Sequence, residues 1–302
     1  MTQRGFLFPG QGAQTIGMAR ALYDQSATVR SLFARAQDIL GYDLAEVCFH
    51  GPAELLNSTR VSQPAIYVAS FAALHVLQEK DPEVVAACQA AAGLSLGEYT
   101  ALAFAGVFTF EDGLWLVRQR AEAMQQAADA TPSAMVSVLG LDLAQVETLV
   151  QQARSSGRLW IANYLCPGNV VVSGELPACQ ALERLAAAHG TAKTVRLAVA
   201  GAFHTELMQP ADRLLAEALQ NVRLHPARIP VWSNVDGRAH RDPAEIRSLL
   251  VAQVVGPVRW EECMRGMLAA GIEEFYEIGP GRVLAGLLKR IQRKAVCHNV
   301  TA

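Results

Sequence analysis

The sequence predicts an α/β fold: a mostly parallel sheet flanked by helices, with a smaller βαββαβ unit inserted into it. Three observations carry that expectation. Short apolar runs alternate with stretches in which apolar residues recur every three or four positions, the pattern of strands alternating with helices. Residues 134–197 break that rhythm and read strand, helix, two strands, helix, strand, which is the ferredoxin-like order. The chain has 302 residues, 51% hydrophobic and 18% charged, enough to bury a large core and too apolar for a disordered or fibrous protein.

The first strand is Gly5-Phe6-Leu7-Phe8, running into the loop Pro9-Gly10-Gln11-Gly12-Ala13-Gln14. Helical spacing follows at 16–25, 28–40 and 64–79. The small apolar run 84–92 ends in Gly93, and Glu98–Ala105 reads as a helix, so 86–105 is a strand, a turn and a helix. Glu111–Ala128 is the next helix. Within the insertion, Ala134–Leu139 is a strand and Leu143–Ala153 a helix entered through Asp142 as N-cap. Leu159–Tyr164 and Val170–Ser173 are strands joined by the turn Cys166-Pro167-Gly168-Asn169. Leu176–Ala188 is a helix closed by Gly190, and Ala192–Leu197 a last strand; the larger unit resumes with a helix at Glu206–Leu219. The division is therefore 1–128 with 198–302 for the larger domain and 129–197 for the smaller one. A cleft between two such bodies is a common site for a small molecule.

Composition excludes several classes of function. With 26 Lys and Arg against 28 Asp and Glu, no basic field is present to bind nucleic acid. The six cysteines form no CxxC and no Cys/His cluster with metal-ligand spacing, so they read as reduced core thiols of a cytoplasmic protein with no metal. The longest uncharged stretch, Val61–Gln78, contains Gln63, Pro64, Ser70 and His75, which marks a buried helix and not a membrane span. The N-terminal apolar run stops at Pro9, too short for a signal segment.

The chemistry centres on Gly93-Leu94-Ser95-Leu96-Gly97, a GxSxG between a strand and a helix. A serine on so sharp a turn crowds the residues two positions away, and glycines relieve the clash. The free amides at the start of the following helix then face the serine and can stabilise an oxyanion. Among seven histidines, six have ordinary explanations: His75 as a core imidazole, His189 at a helix end, and His50, His225, His240 and His298 in turns or near the terminus. His204 lies in the small-residue loop Ala200-Gly201-Ala202-Phe203-His204-Thr205, directly before a helix, and suits the base of a Ser–His pair. The glycines at 10, 12 and 17 miss the spacing of a dinucleotide or P-loop cradle. They suit a loop that brings the Gln11 amide close to another group, or a plain turn.

Taken together, Phe8-Pro9-Gly10-Gln11-Gly12-Ala13-Gln14, the GxSxG with Glu98, Arg120 with Met124, Gly201-Ala202-Phe203-His204, and Gln253 with Pro257-Val258-Arg259-Trp260 resemble the malonyl-CoA:acyl-carrier-protein transacylases and the acyltransferase domains of polyketide synthases. The resemblance runs from about residue 5 to 290. It implies a hydrolase-like catalytic domain with the ferredoxin-like insertion, and malonyl transfer from malonyl-CoA to the phosphopantetheine thiol of an acyl carrier protein. By the same resemblance Ser95 is the nucleophile and His204 the base. Amides of Gln11 and Leu96 form the oxyanion hole, Arg120 binds the malonyl carboxylate, and the Gln253 carbonyl orients the histidine. Phe203 limits room for an α-methyl branch. No cofactor is implied.

Independent physics favours a special fate for Arg120, because an arginine on an apolar helix face should not be buried without an anion; neighbouring Arg118 is expected to be ion-paired or exposed. One position departs from the family: Leu94 stands where histidine usually precedes the nucleophile, which alters pocket polarity and bears on acyl preference. Two other readings remain at this point, an acyl-thioester hydrolase and a non-catalytic scaffold that binds carrier proteins. Asn163 suits the cleft or a strand edge, and Lys289, Arg290, Arg293 and Lys294 read as a solvated helix face.

Overall fold

The computed structural model describes residues 2–190 and 192–302. Among these described residues are ten strands: β1 (Arg4–Phe8), β2 (Cys88–Gly93), β3 (Ser133–Leu139), β4 (Leu159–Cys166), β5 (Asn169–Glu175), β6 (Lys193–Arg196), β7 (Val231–Trp232), β8 (Ala239–His240), β9 (Glu274–Ile278) and β10 (Val296–Val300). The larger sheet has the order β10-β9-β1-β2-β7-β8 and is parallel except for β8. Alternation along its central strands divides the core between two faces. Phe6, Phe8 and Ala91 enter one apolar cluster, whereas Leu7, Ala90 and Ala92 enter another with Trp260, Met264 and Phe275.

The smaller sheet is antiparallel throughout, in the order β4-β5-β3-β6. Its helices, Leu143–Ala153 and Leu176–Ala187, cover one face, where Val136, Val138, Val170 and Val172 meet Val146, Leu149 and Leu182. Period-2 alternation sends Met135 and Val171 to the opposite face, where they join the core of the larger unit. The inserted sheet therefore supplies a wall of the cleft. The fold class expected from the sequence is the one found.

Several boundaries differ, three of them for a clear local reason. The helix expected at 16–25 starts at Arg20, because Gly17 and Ala19 take φ of 90° and 62°, outside the helical region. The run 84–92 is split: Asp81 caps a short helix, Pro82–Ala86, through Val84 N, and Pro82 at its first position favours that start. Thr59–Lys80 begins five residues before the expected 64–79; Pro64 falls in its second turn, where its missing N–H forfeits one hydrogen bond without ending the helix.

The turn after β2 is packed to the limit. A Cβ on Gly97 would lie 2.1 Å from the Phe8 carbonyl oxygen, and one on Gly93 would lie 1.9 Å from the Gly97 carbonyl carbon. Gly97→Ala should therefore cost about 1–3 kcal/mol or more, as overpacking does. Gly286 is exposed in the helix Val283–Ile291 and a Cβ there would meet nothing within 4 Å. Gly286→Ala should stabilise by about 0.5–1 kcal/mol. Urea unfolding midpoints moving in opposite directions for the two variants would bear this out.

Candidate active site

Ser95 sits between β2 and the helix Leu96–Phe104 with φ 50° and ψ −100°, a strained conformation for a residue with a side chain. Two side-chain amides hold it there. Asn234 Oδ1 accepts from Ser95 N at 2.6 Å, and Asn234 Nδ2 donates to the Gly93 carbonyl at 2.8 Å. Gln253 Nε2 donates to the Ser95 carbonyl at 3.1 Å. Behind both amides lies Glu98, whose Oε2 accepts from Asn234 N at 3.0 Å and from Gln253 Nε2 at 2.7 Å. Burial pushes the Glu98 carboxyl up to about 7 against the pull of those donors.

The Ser95 hydroxyl is 2.8 Å from His204 Nε2, and His204 Nδ1 is 2.8 Å from the Gln253 carbonyl oxygen. A carbonyl only accepts, so Nδ1 carries the proton and Nε2 is left as the acceptor facing Ser95. His204 has φ 61° and is buried. Its loop is held by Ser133 Oγ, which accepts from Ala202 N at 3.0 Å, and by Thr205 Oγ1, which donates to the Ala202 carbonyl at 2.7 Å. Burial, and then the nearby Arg120 charge, hold the imidazole down to about 4.

Arg120 projects inward from the helix Phe110–Ala130 and is 1% exposed. Its NH1 donates to Gln63 Oε1 at 2.7 Å; its NH2 donates to Ser95 Oγ at 2.9 Å and to Gln253 Oε1 at 3.0 Å. The guanidinium also lies 5.4 Å from the centre of the Tyr99 ring. All three hydrogen-bond acceptors are neutral, and among the described residues no carboxylate forms an ion pair with it. Arg118 has the expected ordinary fate, bonded to Glu122 and to the Ile39 carbonyl.

A cavity of about 250 Å³ opens in front of these groups, below the ~300–1,000 Å³ of drug-sized ligand sites and suited to a short acyl group. Gln11, Leu94, Leu96, Asn163 and Phe203 line it, with Met124, Met135, Val171 and Leu197 among its apolar walls. Leu96 is the first residue of its helix, where an amide has no intrahelical acceptor. A Cβ on Gly10 would lie 2.3 Å from the Leu94 carbonyl oxygen, so glycine lets the Gln11 loop lie against the serine turn. Asn163 lines the cleft, buried, with its Oδ1 unpaired. His75 is half-buried, not the core imidazole expected, because only one face of its helix end meets the core.

The structure thus brings Gln11, Leu94, Ser95, Leu96, Arg120, Phe203, His204 and Gln253 into one site. Sequence reasoning missed Gln63, the tasks of Glu98 and Asn234, and the side chain of Gln253. A signal existed for Gln63 and Glu98, polar residues on otherwise apolar helix faces. None existed for Asn234, which reads as one more turn residue in Ser233-Asn234-Val235-Asp236-Gly237.

Residues 5–300 match the acyl transferase domain family. The human mitochondrial malonyl-CoA-acyl carrier protein transacylase is 42% identical over 301 residues, spanning 96% of this chain and 77% of that protein. Among solved structures, the acyl-carrier-protein-S-malonyltransferase of Bartonella henselae superposes with a TM-score of 0.95 at 37% identity, covering 100% of this chain and 96% of that one. A malonyl-transacylase solved in complex with its type II PKS acyl-carrier protein gives a TM-score of 0.94 at 37% identity, covering 99% and 96%. With nearly its whole length matched, the chain belongs to the acyl transferase domain family.

Proposed function

We propose that this protein moves a malonyl group from malonyl-CoA to the phosphopantetheine thiol of an acyl carrier protein, through an ester on Ser95. The observation that carries the reading is Arg120: a buried guanidinium with no carboxylate partner among the described residues, 2.9 Å from the Ser95 hydroxyl. Such a cation is costly to bury and asks for an anion, and the carboxylate of a malonyl thioester supplies one in the two-pronged geometry that arginine favours. The names of the relatives point to the same substrate and carrier.

In the first half-reaction Ser95 Oγ attacks the thioester carbonyl while its proton passes to His204 Nε2. The amides of Gln11 and Leu96 take the oxyanion, the C–S bond breaks, and the imidazolium proton goes to the departing CoA thiolate. In the second, the carrier thiol gives its proton to His204 and its sulfur attacks the ester. The C–O bond then breaks and Ser95 recovers its proton. The Gln253 carbonyl holds the imidazole tautomer throughout, so no acidic third member is needed. Neither metal nor organic cofactor enters this scheme.

A hydrolase would gain nothing from an anion-binding arginine, and a scaffold nothing from a serine 2.8 Å from an imidazole. A cytoplasmic location belongs to the same proposal. Among the described residues no helix is long and apolar enough to cross a membrane, and the six thiols are unpaired.

Incubation with malonyl-CoA should add one malonyl group, located by mass spectrometry on Ser95 and absent from Ser95→Ala. A wild-type chain that stays unmodified would refute the ester. Arg120→Ala should lose about 2–5 kcal/mol of transition-state stabilisation with malonyl-CoA, roughly 30- to several-thousand-fold in kcat/KM, and far less with acetyl-CoA. Equal losses would remove the carboxylate role.

The base must be neutral to act, so the acylation limb set by His204 should fall near 4 and not near 6.5, and measuring it in Glu98→Gln removes the separate titration of Glu98 near 7. Removing the Arg120 charge should move that limb to higher pH, measured with acetyl-CoA to leave carboxylate binding aside. A limb near 6.5 that persists in Glu98→Gln would contradict the assignment. Stability runs alongside: between 6.5 and about 4 the unfolded chain binds a proton that folded His204 refuses, so stability declines as pH falls through that window.

A further inference from the structure

The side chain of Gln253 has one permitted orientation. Its Nε2 faces two acceptors, Glu98 Oε2 at 2.7 Å and the Ser95 carbonyl at 3.1 Å, and its Oε1 faces a donor, Arg120 NH2, at 3.0 Å. A guanidinium can only donate, and a carboxylate and a carbonyl can only accept. Turning the amide by 180° would set donor against donor and acceptor against acceptor at every contact. Gln253, Glu98 and Arg120 are 1%, 3% and 1% exposed, so no bulk water is at hand to repair a wrong orientation.

We propose that Glu98 is a positioning residue for malonyl recognition: by fixing the Gln253 amide it aims the Arg120 fork into the cavity without neutralising it. A carboxylate placed directly on Arg120 would satisfy the guanidinium and compete with the substrate's own. Interposing a neutral amide keeps the anion one residue back. There it offsets the buried positive charge at a distance, and the amide oxygen it orients still holds NH2 in place. Glu98 has a second duty, since the same Oε2 accepts from Asn234 N and so supports the serine turn. That duty alone would serve every acyl group equally. The inference rests on Arg120 binding the malonyl carboxylate, and the test below separates the two.

The test compares kcat/KM for malonyl-CoA and acetyl-CoA in the full-length protein. Glu98→Ala should lower the malonyl-to-acetyl ratio by ~10- to 100-fold, the range one charge-assisted hydrogen bond commands. Glu98→Gln, which can keep an oxygen toward Asn234 N and Gln253 Nε2, should restore most of that ratio. Gln253→Met retains the backbone carbonyl that holds His204 but lacks the amide. It should show the same malonyl-specific loss, and combining it with Glu98→Ala should lower the ratio no further, because both remove one linkage. The Met variant keeps the question open to refutation should Glu98→Ala fail to fold. Equal losses for both thioesters in Glu98→Ala, or an unchanged ratio in Gln253→Met, overturn the inference. A malonyl-specific loss in Arg120→Ala beside either result leaves the transfer reading standing, whereas its absence removes that reading first.

Discussion

A positive charge buried beside the serine hydroxyl, with no carboxylate among the described residues in direct contact, is the constraint around which the rest of this site is arranged. Taking a guanidinium out of water costs several kcal/mol even after the surroundings relax. The fold meets that cost with oriented neutral dipoles, Gln63 Oε1, Gln253 Oε1 and Ser95 Oγ, and with the face of Tyr99. The charge in turn helps to hold His204 in its neutral, basic form and draws Glu98 toward ionisation against its burial. One cation thus biases both titratable neighbours toward the forms the proposed chemistry uses.

The architecture delivers these groups from separate parts of the chain. The Gln11 loop and the Ser95 turn leave the carboxyl ends of β1 and β2, adjacent and parallel in the larger sheet, where open α/β sheets characteristically place ligands. Arg120 comes from the long helix that precedes the insertion, His204 from the loop that follows it, and Gln253 from the helix Pro243–Val255. The inserted sheet closes the cavity with the side chains its pleat turns away from its own helices. Asn234 ties the ends together by holding Gly93 and Ser95 from 139 or more residues away in sequence.

How much of this was legible depends on whether a residue's task shows in its neighbours. Ser95 announces itself because glycines on both sides follow from the sharpness of the turn. The insertion is visible because two periodicities alternate in an order that few units share. Arg120 stands out as a charge on an apolar helix face. Asn234 does not, since an asparagine in a turn is ordinary and only the three-dimensional approach of β7 to β2 gives it a task. Gln253 was half legible: family likeness marks its carbonyl, but its side-chain amide gains meaning only from Glu98 and Arg120 on either side. The early start of the helix Thr59–Lys80 was obscured by Pro64, although that extra turn is what carries Gln63 to the guanidinium.

Energy scales make the two kinds of acyl selectivity proposed for this site unequal. On the proposed reading, presence or absence of a carboxylate is sensed by a buried cation, and leaving such a charge unpaired costs about 2–5 kcal/mol. An α-methyl branch would meet apolar lining such as the Phe203 ring, and one methyl in an apolar pocket is worth only about 1–3 kcal/mol. Leu94 adds to the apolar lining of the cavity. On the proposed reading the site is strict about charge and lenient about shape, and that ordering follows from placing a charged recognition group where water cannot substitute for the substrate.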